Sequence, residues 1–411
     1  MDVLKKLLPA LLLVSGVASC DKQESTPAGS QFIKSGNENC DQQQIPGEYL
    51  VYWQNGKVTV EKATDEESFL NQYLSDHQDE IIKAEPHYRV QMEEKILERG
   101  WGGEINWGAY SVEADWAWGK SQLGSEVIVA VIDSGLDRSH PQLQGVVALN
   151  NQEEINGLDD DGNGYVDDRY GYDFVANSHD VKDYTGHGTH VAGVIAARHD
   201  VGQVLGVAPG VKILPLNFIN ANGGGNIIDA LNAIRYAASR NVKVINASWG
   251  GEACSTLLRD EIKALIPQNI LFVAAAGNKG NDISLRPEYP AAFALDNMIT
   301  VGASTYDNKT AGFSNWGVLV DIVAPGANIF STYPFDRDKD DSVADGVTSL
   351  GGTSMAAPFV SAAAALLWSQ SPDASYVEIK AALLGGVMPG PYPVHSRGAL
   401  NIPRAMGGLG L

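Results

Sequence analysis

Short apolar segments alternate with longer segments of helical spacing through most of the chain. Buried strands are predicted where β-branched residues are dense, at 127–132, 211–218, 242–247, 270–276 and 298–301. Helices are predicted at 226–240 and 356–369. Because strands and helices alternate and the strands are apolar throughout, residues 105–411 predict an α/β domain with a mainly parallel sheet flanked by helices.

A smaller α+β domain is predicted over residues 45–90. The alternating pattern predicts strands at 48–53 and 57–61, joined by a turn at Asn55-Gly56, then a helix at 66–78 and a last strand that ends near Val90. Residues 91–104 are charged and contain glycine, which is typical of a linker between two domains.

The first 44 residues have the pattern of an export signal followed by a polar tether. Lys5 and Lys6 precede a short apolar run, and small residues at 16–19 lead to Cys20. The segment Val17-Ala-Ser-Cys20 resembles the lipobox of bacterial lipoproteins, which implies a signal peptide over 1–19 and a lipid on Cys20. A plain secretory signal shares the same start and stays an alternative. Both predict export, and the lipobox resemblance implies a bacterial protein that is extracellular or in the cell envelope. Residues 20–44 are polar and are expected to be disordered.

Composition narrows the possible partners of the chain. The 411 residues are 44% hydrophobic and carry a formal net charge of −21. Such acidity disfavours nucleic acid, whose phosphates need a basic surface, and is typical of a soluble or cation-binding protein. No apolar segment after Cys20 is long enough to span a bilayer, so membrane contact is expected only through the lipid. The three cysteines cannot form a disulfide framework; we expect Cys254 to be a free thiol and assign no role to Cys40.

Three glycine-rich segments each present one reactive side chain. The segments at 130–137, 185–193 and 351–360 present Asp133, His187 and Ser354 in turn. A serine hydroxyl becomes a nucleophile when a base takes its proton, and an acid fixes and stabilises that base. A helix that starts at the serine adds N–H groups suited to an oxyanion. Singly these residues suit a turn, a metal site and a helix cap, but together they predict a catalytic triad.

The three segments resemble the active-site signatures of the subtilisin-like serine proteases, or subtilases, over about Ala114 to Met406. The resemblance implies a parallel α/β fold and amide hydrolysis through an acyl-enzyme on Ser354. His187 is then the base and Asp133 the acid that orients it, while His190 is structural. Asn278, which follows the strand at 270–276, is implied to donate its amide to the oxyanion.

The resemblance also implies that an extended peptide pairs with two strands of the enzyme. The residues that would bind it are Gly223, Gly224 and Gly225 on one strand and Ser248, Trp249 and Gly250 on the other. Trp249 stands where the family commonly has a smaller aliphatic residue and is expected to narrow or flatten a subsite. Glu288, at the floor of the primary pocket, predicts a preference for Lys or Arg before the cleaved bond. Alternatively, Arg286 neutralises Glu288, or Glu288 faces solvent.

An acidic loop predicts a cation site. Oxygen ligands at alternate positions, with glycines between them, resemble the first half of an EF-hand loop: Asp159, Asp161, Asn163, the Tyr165 carbonyl and Asp167. The twelfth position is Tyr170 in place of glutamate, so the loop is not an EF-hand. Similar loops in subtilases bind calcium, which implies a structural Ca²⁺; a solvated acidic turn is the alternative.

Residues 45–90 resemble the inhibitor-type propeptide of subtilases, especially at Glu85-Pro-His-Tyr88. The resemblance implies that this domain assists folding, then occupies the active cleft and is cut off between Tyr88 and Glu104. The expected partners are therefore protein or peptide substrates and the chain's own propeptide. Two other classes stay open: a peptide-binding module without activity, since fold does not settle function, and an esterase, although such enzymes favour G-x-S-x-G.

Overall fold

This computed structural model describes residues 32–34, 42–92, 95–96, 105–118, 127–339 and 344–411. The strands of these ranges are β1 (Gln44–Trp53), β2 (Val58–Lys62), β3 (Ile81–Gln91), β4 (Lys95–Ile96), β5 (Ile128–Asp133), β6 (Tyr172–Asp173), β7 (Lys212–Asn217), β8 (Gly224–Asn226), β9 (Val244–Ala247), β10 (Leu271–Ala275), β11 (Met298–Ser304), β12 (Ile322–Pro325), β13 (Ile329–Thr332), β14 (Val347–Gly351), β15 (Met388–Pro389) and β16 (Gly398–Ala399).

The α-helices of the same ranges are α1 (Glu66–Ser68), α2 (Trp107–Ser111), α3 (Ala114–Trp118), α4 (His187–Ala196), α5 (Ile227–Ser239), α6 (Thr256–Lys263), α7 (Thr353–Gln370), α8 (Tyr376–Gly385) and α9 (Ile402–Gly408). Shorter 3₁₀ turns occur at Pro141–Leu143, Ile266–Gln268 and Ala291–Phe293. Among these described helices, none is both long and apolar enough to cross a membrane.

The large domain is built on a nine-stranded sheet in the order β15-β16-β12-β11-β10-β9-β5-β7-β6. Its neighbours are parallel except for the edge pair β15–β16. Along β5, Val129 and Val131 enter one hydrophobic core, with α4 and α7, while Ala130 and Ile132 enter a second core, with α5 and α6. This period of two buries both faces of the strand. The predicted α/β fold with a mainly parallel sheet between helices is confirmed.

The small N-terminal domain is a sheet in the order β2-β1-β3-β8. Its hairpin β1–β2 has the predicted position, with Leu50 opposite Val60. The helical segment begins at Glu66, as predicted, but continues as a π-helix over Phe69–Leu74, from which Phe69 stacks on Tyr49. Strand β8 belongs to the large domain, so β3 joins the two domains through one sheet.

Two N-terminal segments are more ordered than their composition predicts. Disorder over 20–44 is wrong for Gln44, which begins β1, and for 32–34, because Phe32 is buried against Tyr49 and Phe69 in the core of the small domain. A linker over 91–104 is wrong at Gln91, which ends β3, and at β4, which pairs with β14. In both cases a sheet edge offers backbone groups for pairing, and polar composition does not reveal such edges. The predicted signal peptide and Cys20 lie outside the described residues.

Cys254 is disulfide-bonded, so the prediction of a free thiol is wrong. The residue is buried in a small apolar cluster with Tyr289 and Ala292. A disulfide needs two cysteines whose Cα atoms come within about 7 Å, and this closeness depends on the fold. The positions of the three cysteines along the sequence therefore could not predict which of them come close enough to bond.

Candidate active site

Asp133, His187 and Ser354 lie at the ends of separate elements on one edge of the central sheet. Asp133 ends β5, His187 begins α4, and Ser354 is the second residue of α7. Asp133 and His187 are fully buried, and the distance from His187 Nδ1 to Asp133 Oδ1 is 2.7 Å. The Ser354 hydroxyl donates to the carbonyl of Ser248, just after β9, at 3.1 Å. The carboxyl ends of β5 and β9 thus carry the Asp133–His187 pair and the residue that Ser354 contacts to the same edge of the sheet, as parallel sheets do.

Asp183, which the sequence analysis missed, organises the loop that carries His187. Its buried Oδ1 accepts from the backbone N–H of Gly186 at 2.8 Å and from the Ser134 hydroxyl at 2.9 Å. Its Oδ2 accepts from the N–H and hydroxyl of Thr189, both at 2.8 Å. An acid placed here satisfies N–H groups that the start of α4 would otherwise leave unpaired. Spacing along the chain gave little signal of this role, because the capping position before α4 is held by Gly186, three residues after Asp183.

Asn278 lies after β10, and its amide is held in one orientation. Its Oδ1 accepts from the backbone N–H of Thr353 at 2.8 Å and from the Thr353 hydroxyl at 3.1 Å. The Nδ2 group therefore points to the other side of the amide. Gly277 has a φ of +97°, and a Cβ there would lie 1.8 Å from Glu288 Oε2. Only glycine fits this turn.

A buried polar chain behind Ser354 ties α7 to β9. The Ser248 hydroxyl donates to the Ser354 carbonyl at 2.8 Å, and Asn246 Nδ2 donates to the Ser248 hydroxyl at 2.9 Å. The hydroxyl of Ser361, about two turns along α7 from Ser354, donates to Asn246 Oδ1 at 2.8 Å. Because buried polar groups are costly unless paired, this chain fixes the position of α7 beneath the serine.

His190, on the same helix as His187, has a different environment. It is fully buried, and its Nε2 lies 2.8 Å from the carbonyl of Ile329, so this nitrogen carries the proton. Burial lowers the pKa of His190 to about 3. A histidine that stays neutral and donates to a backbone carbonyl holds α4 against β13, which agrees with a structural role.

Strand β3 of the same chain lies between the two segments that are predicted to bind substrate. Val90 lies opposite Gly225 of β8. On the other side of β3, the N–H of Gln91 donates to the Gly250 carbonyl at 3.2 Å. The N–H of Met92 donates to the Gly223 carbonyl at 3.0 Å. A strand added between two others in this way is the geometry of extended-peptide recognition.

A pocket opens beside Ser354, lined by Trp249, Gly250, Ala275, Gly277, Asn278, Glu288, Tyr289, Ala291 and Thr353. Glu288 is buried in it, and Lys279 Nζ lies 2.8 Å from Glu288 Oε1 and 2.8 Å from Glu252 Oε1. The cation near Glu288 is therefore Lys279, not foreseen from the sequence, while Arg286 reaches Asn281. The Trp249 indole is buried and donates to the Ile132 carbonyl at 2.9 Å.

The acidic loop brings together Asp159, Asp161 and the buried Glu153, whose ligand atoms all lie within 4.8 Å of one another. Sequence analysis missed Glu153 because it precedes the loop. Its Oε1 accepts from two loop N–H groups, and its buried Oε2 has no hydrogen-bond partner among the described residues. This oxygen, with two carboxylates beside it, fits a Ca²⁺ ligand set. Asp167 Oδ1 instead accepts from the N–H groups of Asn156 and Gly157.

Comparison with known proteins agrees with this geometry. The subtilase family model matches residues 124–396, which is well over half of the chain. The chain is 31% identical to an alkaline protease of Alkalihalobacillus alcalophilus over 379 residues, or 91% of this chain and 89% of that protein. It is 36% identical to Subtilisin Savinase of Lederbergia lenta over 277 residues, or 67% of this chain and 88% of that protein.

A third relative is longer than the region it shares with this chain. The thermophilic serine proteinase of Bacillus sp. (strain AK1) is 35% identical over 278 residues, which are 67% of this chain and 60% of that protein. The match to the family model, over 124–396, includes Asp133, His187 and Ser354. The chain therefore belongs to the subtilase family and is a serine endopeptidase.

Proposed function

We propose that the chain is the zymogen of an exported endopeptidase whose nucleophile is Ser354. The observation that carries this proposal is the 2.7 Å hydrogen bond between buried His187 and Asp133. Because Nδ1 donates to Asp133, Nε2 on the other side of the ring is the nitrogen that takes the proton of Ser354. Asp133 stabilises the imidazolium that forms, and Ser354 attacks the peptide carbonyl.

The oxyanion would form between two donors: the backbone N–H of Ser354, at the start of α7, and Nδ2 of Asn278. Thr353 holds the Asn278 amide in the required orientation before substrate arrives. Donors that need no rearrangement stabilise the transition state more than the ground state. Water then hydrolyses the acyl-enzyme, with His187 as the base again.

We further propose that residues 45–90 act as the propeptide, as chaperone and inhibitor, and that the chain cuts itself between Glu93 and Glu94. Gln91 and Gly250 exchange backbone hydrogen bonds, and this antiparallel pairing, if continued by two residues, would bring position 93 opposite Ser248. The Ser248 carbonyl is 3.1 Å from the Ser354 hydroxyl. On the far side, Lys95 of β4 pairs with Gly351, three residues before Ser354. Residues 93 and 94 themselves lie outside the described ranges.

Intact mass and casein hydrolysis test these proposals together. Wild type is expected to lose its N-terminal segment and to digest casein, whereas Ser354→Ala stays full length and inert. Ser369→Ala, another serine of α7, is the matched control and should behave as wild type. Cleavage of Ser354→Ala at the same rate as wild type would contradict self-processing, and casein hydrolysis by that variant would contradict the role of Ser354.

We propose a structural Ca²⁺ at the acidic loop, held by Glu153, Asp159 and Asp161, with Asn163, the Tyr165 carbonyl and Asp167 completing or supporting the site. Support comes from the unpaired buried oxygen of Glu153 and from the repulsion that clustered carboxylates suffer without a cation.

Thermal unfolding of the Ser354→Ala protein tests the calcium site without autolysis. Saturating Ca²⁺ at a hundred times its dissociation constant should stabilise the fold by about 2.7 kcal/mol, and EDTA should remove this gain. Glu153→Gln should abolish the response, whereas its exposed neighbour, Glu154→Gln, should keep it. A melting temperature that ignores both EDTA and Ca²⁺ would contradict the site.

We propose export with lipid attachment at Cys20, supported by the charged start, the apolar run and the small residues that precede this cysteine. Labelling of cells with a radioactive fatty acid should mark wild type and not Cys20→Ser. Equal export with no label in either protein would leave the plain secretory signal as the explanation.

We retain the proposal that Glu288 favours Lys or Arg before the cleaved bond, although Lys279 compensates part of its charge. A basic substrate side chain entering this pocket would meet Glu288 at low exposure, where charge pairs are screened less than at the surface. Lys279 repels the same side chain, and the proposed self-cleavage bond follows an acidic residue, Glu93, so the preference should be modest and not exclusive.

A further inference from the structure

The disulfide of Cys254 joins the two sides of the proposed cleavage bond. Cys254 is disulfide-bonded, and the chain has two other cysteines, Cys20 and Cys40. Both lie outside the described residues, and both precede Glu93, whereas Cys254 follows it. Within one chain, either pairing therefore links the segment that is removed to the segment that carries Ser354.

Gln43, which is three residues after Cys40, holds the chain close to Cys254. Its Oε1 accepts from the backbone N–H groups of Glu252 at 3.0 Å and Ala253 at 3.1 Å. Its carbonyl accepts from the N–H of Arg89 at 2.8 Å, which anchors it to β3 as well. Three residues of fully extended chain span about 10 Å at most, so a cysteine three residues before Gln43 can reach Cys254.

We propose that Cys40 pairs with Cys254, and that this disulfide keeps the N-terminal domain and any lipid on Cys20 attached to the enzyme after self-processing. This inference rests on the function proposed above. Cys20 is a poorer partner, because lipidation would use its sulfur and because a far longer loop separates it from Gln43.

Formation of this disulfide requires an oxidant from outside the protein. The thiols of Cys40 and Cys254 exchange with a disulfide-bearing oxidant of the export compartment, which leaves as two thiols. Hydrolysis at Glu93–Glu94 then consumes one water and breaks only the C–N bond. The S–S bond is untouched, so the two fragments remain one covalent molecule.

The attachment has consequences for inhibition and for location. After the cut, β3 stays tethered beside β8, where its effective concentration is of millimolar order. The inhibitory strand therefore rebinds readily until a second cut or reduction of the disulfide frees it. Since Cys254 is buried, attack by an outside thiol is slow. A lipid on Cys20 would hold the processed enzyme at the membrane for the same period.

Electrophoresis of the processed protein tests the linkage. After alkylation of free thiols and denaturation, the wild-type fragments should run as one species without reductant and as two with dithiothreitol. Cys40→Ser should separate without reductant, and Cys20→Ser should not. Wild-type fragments that separate without reductant, or a linkage lost in Cys20→Ser and kept in Cys40→Ser, would overturn the proposal.

Peptide mapping of uncut Ser354→Ala separates this inference from the proposed protease function. A tryptic digest without reductant should contain one species that joins the peptides of Cys40 and Cys254, and dithiothreitol should split it. If both cysteines are alkylated as free thiols, the disulfide proposal fails even where wild type cuts itself normally. If the linked species is present but wild type stays uncut, the disulfide stands and self-processing fails.

Discussion

The two domains that share strand β3 bury their residues in different ways. In the large domain, β5 and its neighbours have helices of the same domain on both faces. In the small domain, one face of the sheet covers a core of its own, around Tyr49 and Phe69, but Leu50, Tyr88 and Val90 enter a core of the large domain. The apolar residues of the small domain are thus buried partly by its own core and partly by the large domain.

Polar contacts deepen this difference. Glu85 of β3 is fully buried and accepts from the Thr256 N–H at 2.8 Å and hydroxyl at 2.7 Å, at the start of α6. Burial raises the pKa of Glu85. Lys83 pairs with Asp260 of the same helix at 2.5 Å. Small sheets are marginal alone, so the small domain depends on the large one for its stability, while the large one carries the proposed catalytic residues.

Loss of the Asn278 amide should have the largest effect of these changes, and this effect is on the activity of the large domain. Asn278→Ala removes one of the two proposed oxyanion donors, so kcat on peptides should fall about 10²–10³-fold with KM nearly unchanged. Asn281→Ala, in the same loop, is the control and should retain activity. A KM effect without a kcat effect would place Asn278 in substrate binding instead.

Acid should weaken the large domain through His190. Its pKa is about 3 in the folded protein against 6.5 ordinarily, so the unfolded chain binds this proton more readily. The stability from neutral His190 is complete above pH 6.5 and is lost as pH falls toward 3, at up to about 1.4 kcal/mol per pH unit.

Urea unfolding of Ser354→Ala at several pH values measures this slope. His190→Gln should flatten the dependence of the unfolding free energy on pH between 3 and 6.5, whereas His395→Gln, at an exposed position, should not. Identical slopes in the two variants would mean that His190 does not cause the loss.

Glu85→Ala should weaken the small domain selectively. It leaves N–H groups at the start of α6 without their acceptor, at a cost of about 1–3 kcal/mol. Hydrogen exchange in the Ser354→Ala background should show β3 amides losing that much protection while β5 amides keep theirs. Glu80→Ala, which removes an exposed glutamate just before β3, should change neither strand. An equal loss in β5 would mean that the two domains unfold as one unit.

Substrate preference should change least. Glu288→Gln is expected to lower kcat/KM for peptides with Lys or Arg before the cleaved bond by several-fold relative to neutral peptides, and Lys279→Met should raise it by a similar factor. The exposed Lys309→Met controls for a change of net charge. If the library profile is the same in all four proteins, neither charge sets the preference.

Features carried by one continuous segment were predictable from the sequence. The strand predicted at 127–132 is β5, the helix at 356–369 lies within α7, and Asp133 and His187 meet as their motifs suggested. Features made by contacts between distant segments were not. Lys279 meets Glu288 only because two loops converge, Glu153 joins an acidic loop that it precedes, and the disulfide of Cys254 depends on the approach of another segment.

The most direct test that the chain cuts itself at the bond set by the strand pairing is the N-terminus of the earliest product. Wild type should be sampled during the first turnover, and its large fragment analysed by N-terminal sequencing and intact mass, with Ser354→Ala treated alike. The pairing of Gln91 with Gly250 and of Lys95 with Gly351 predicts a fragment that begins at Glu94, and an uncut variant. A first cut before Gln91 or after Ile96, or a cut in Ser354→Ala, would contradict the account.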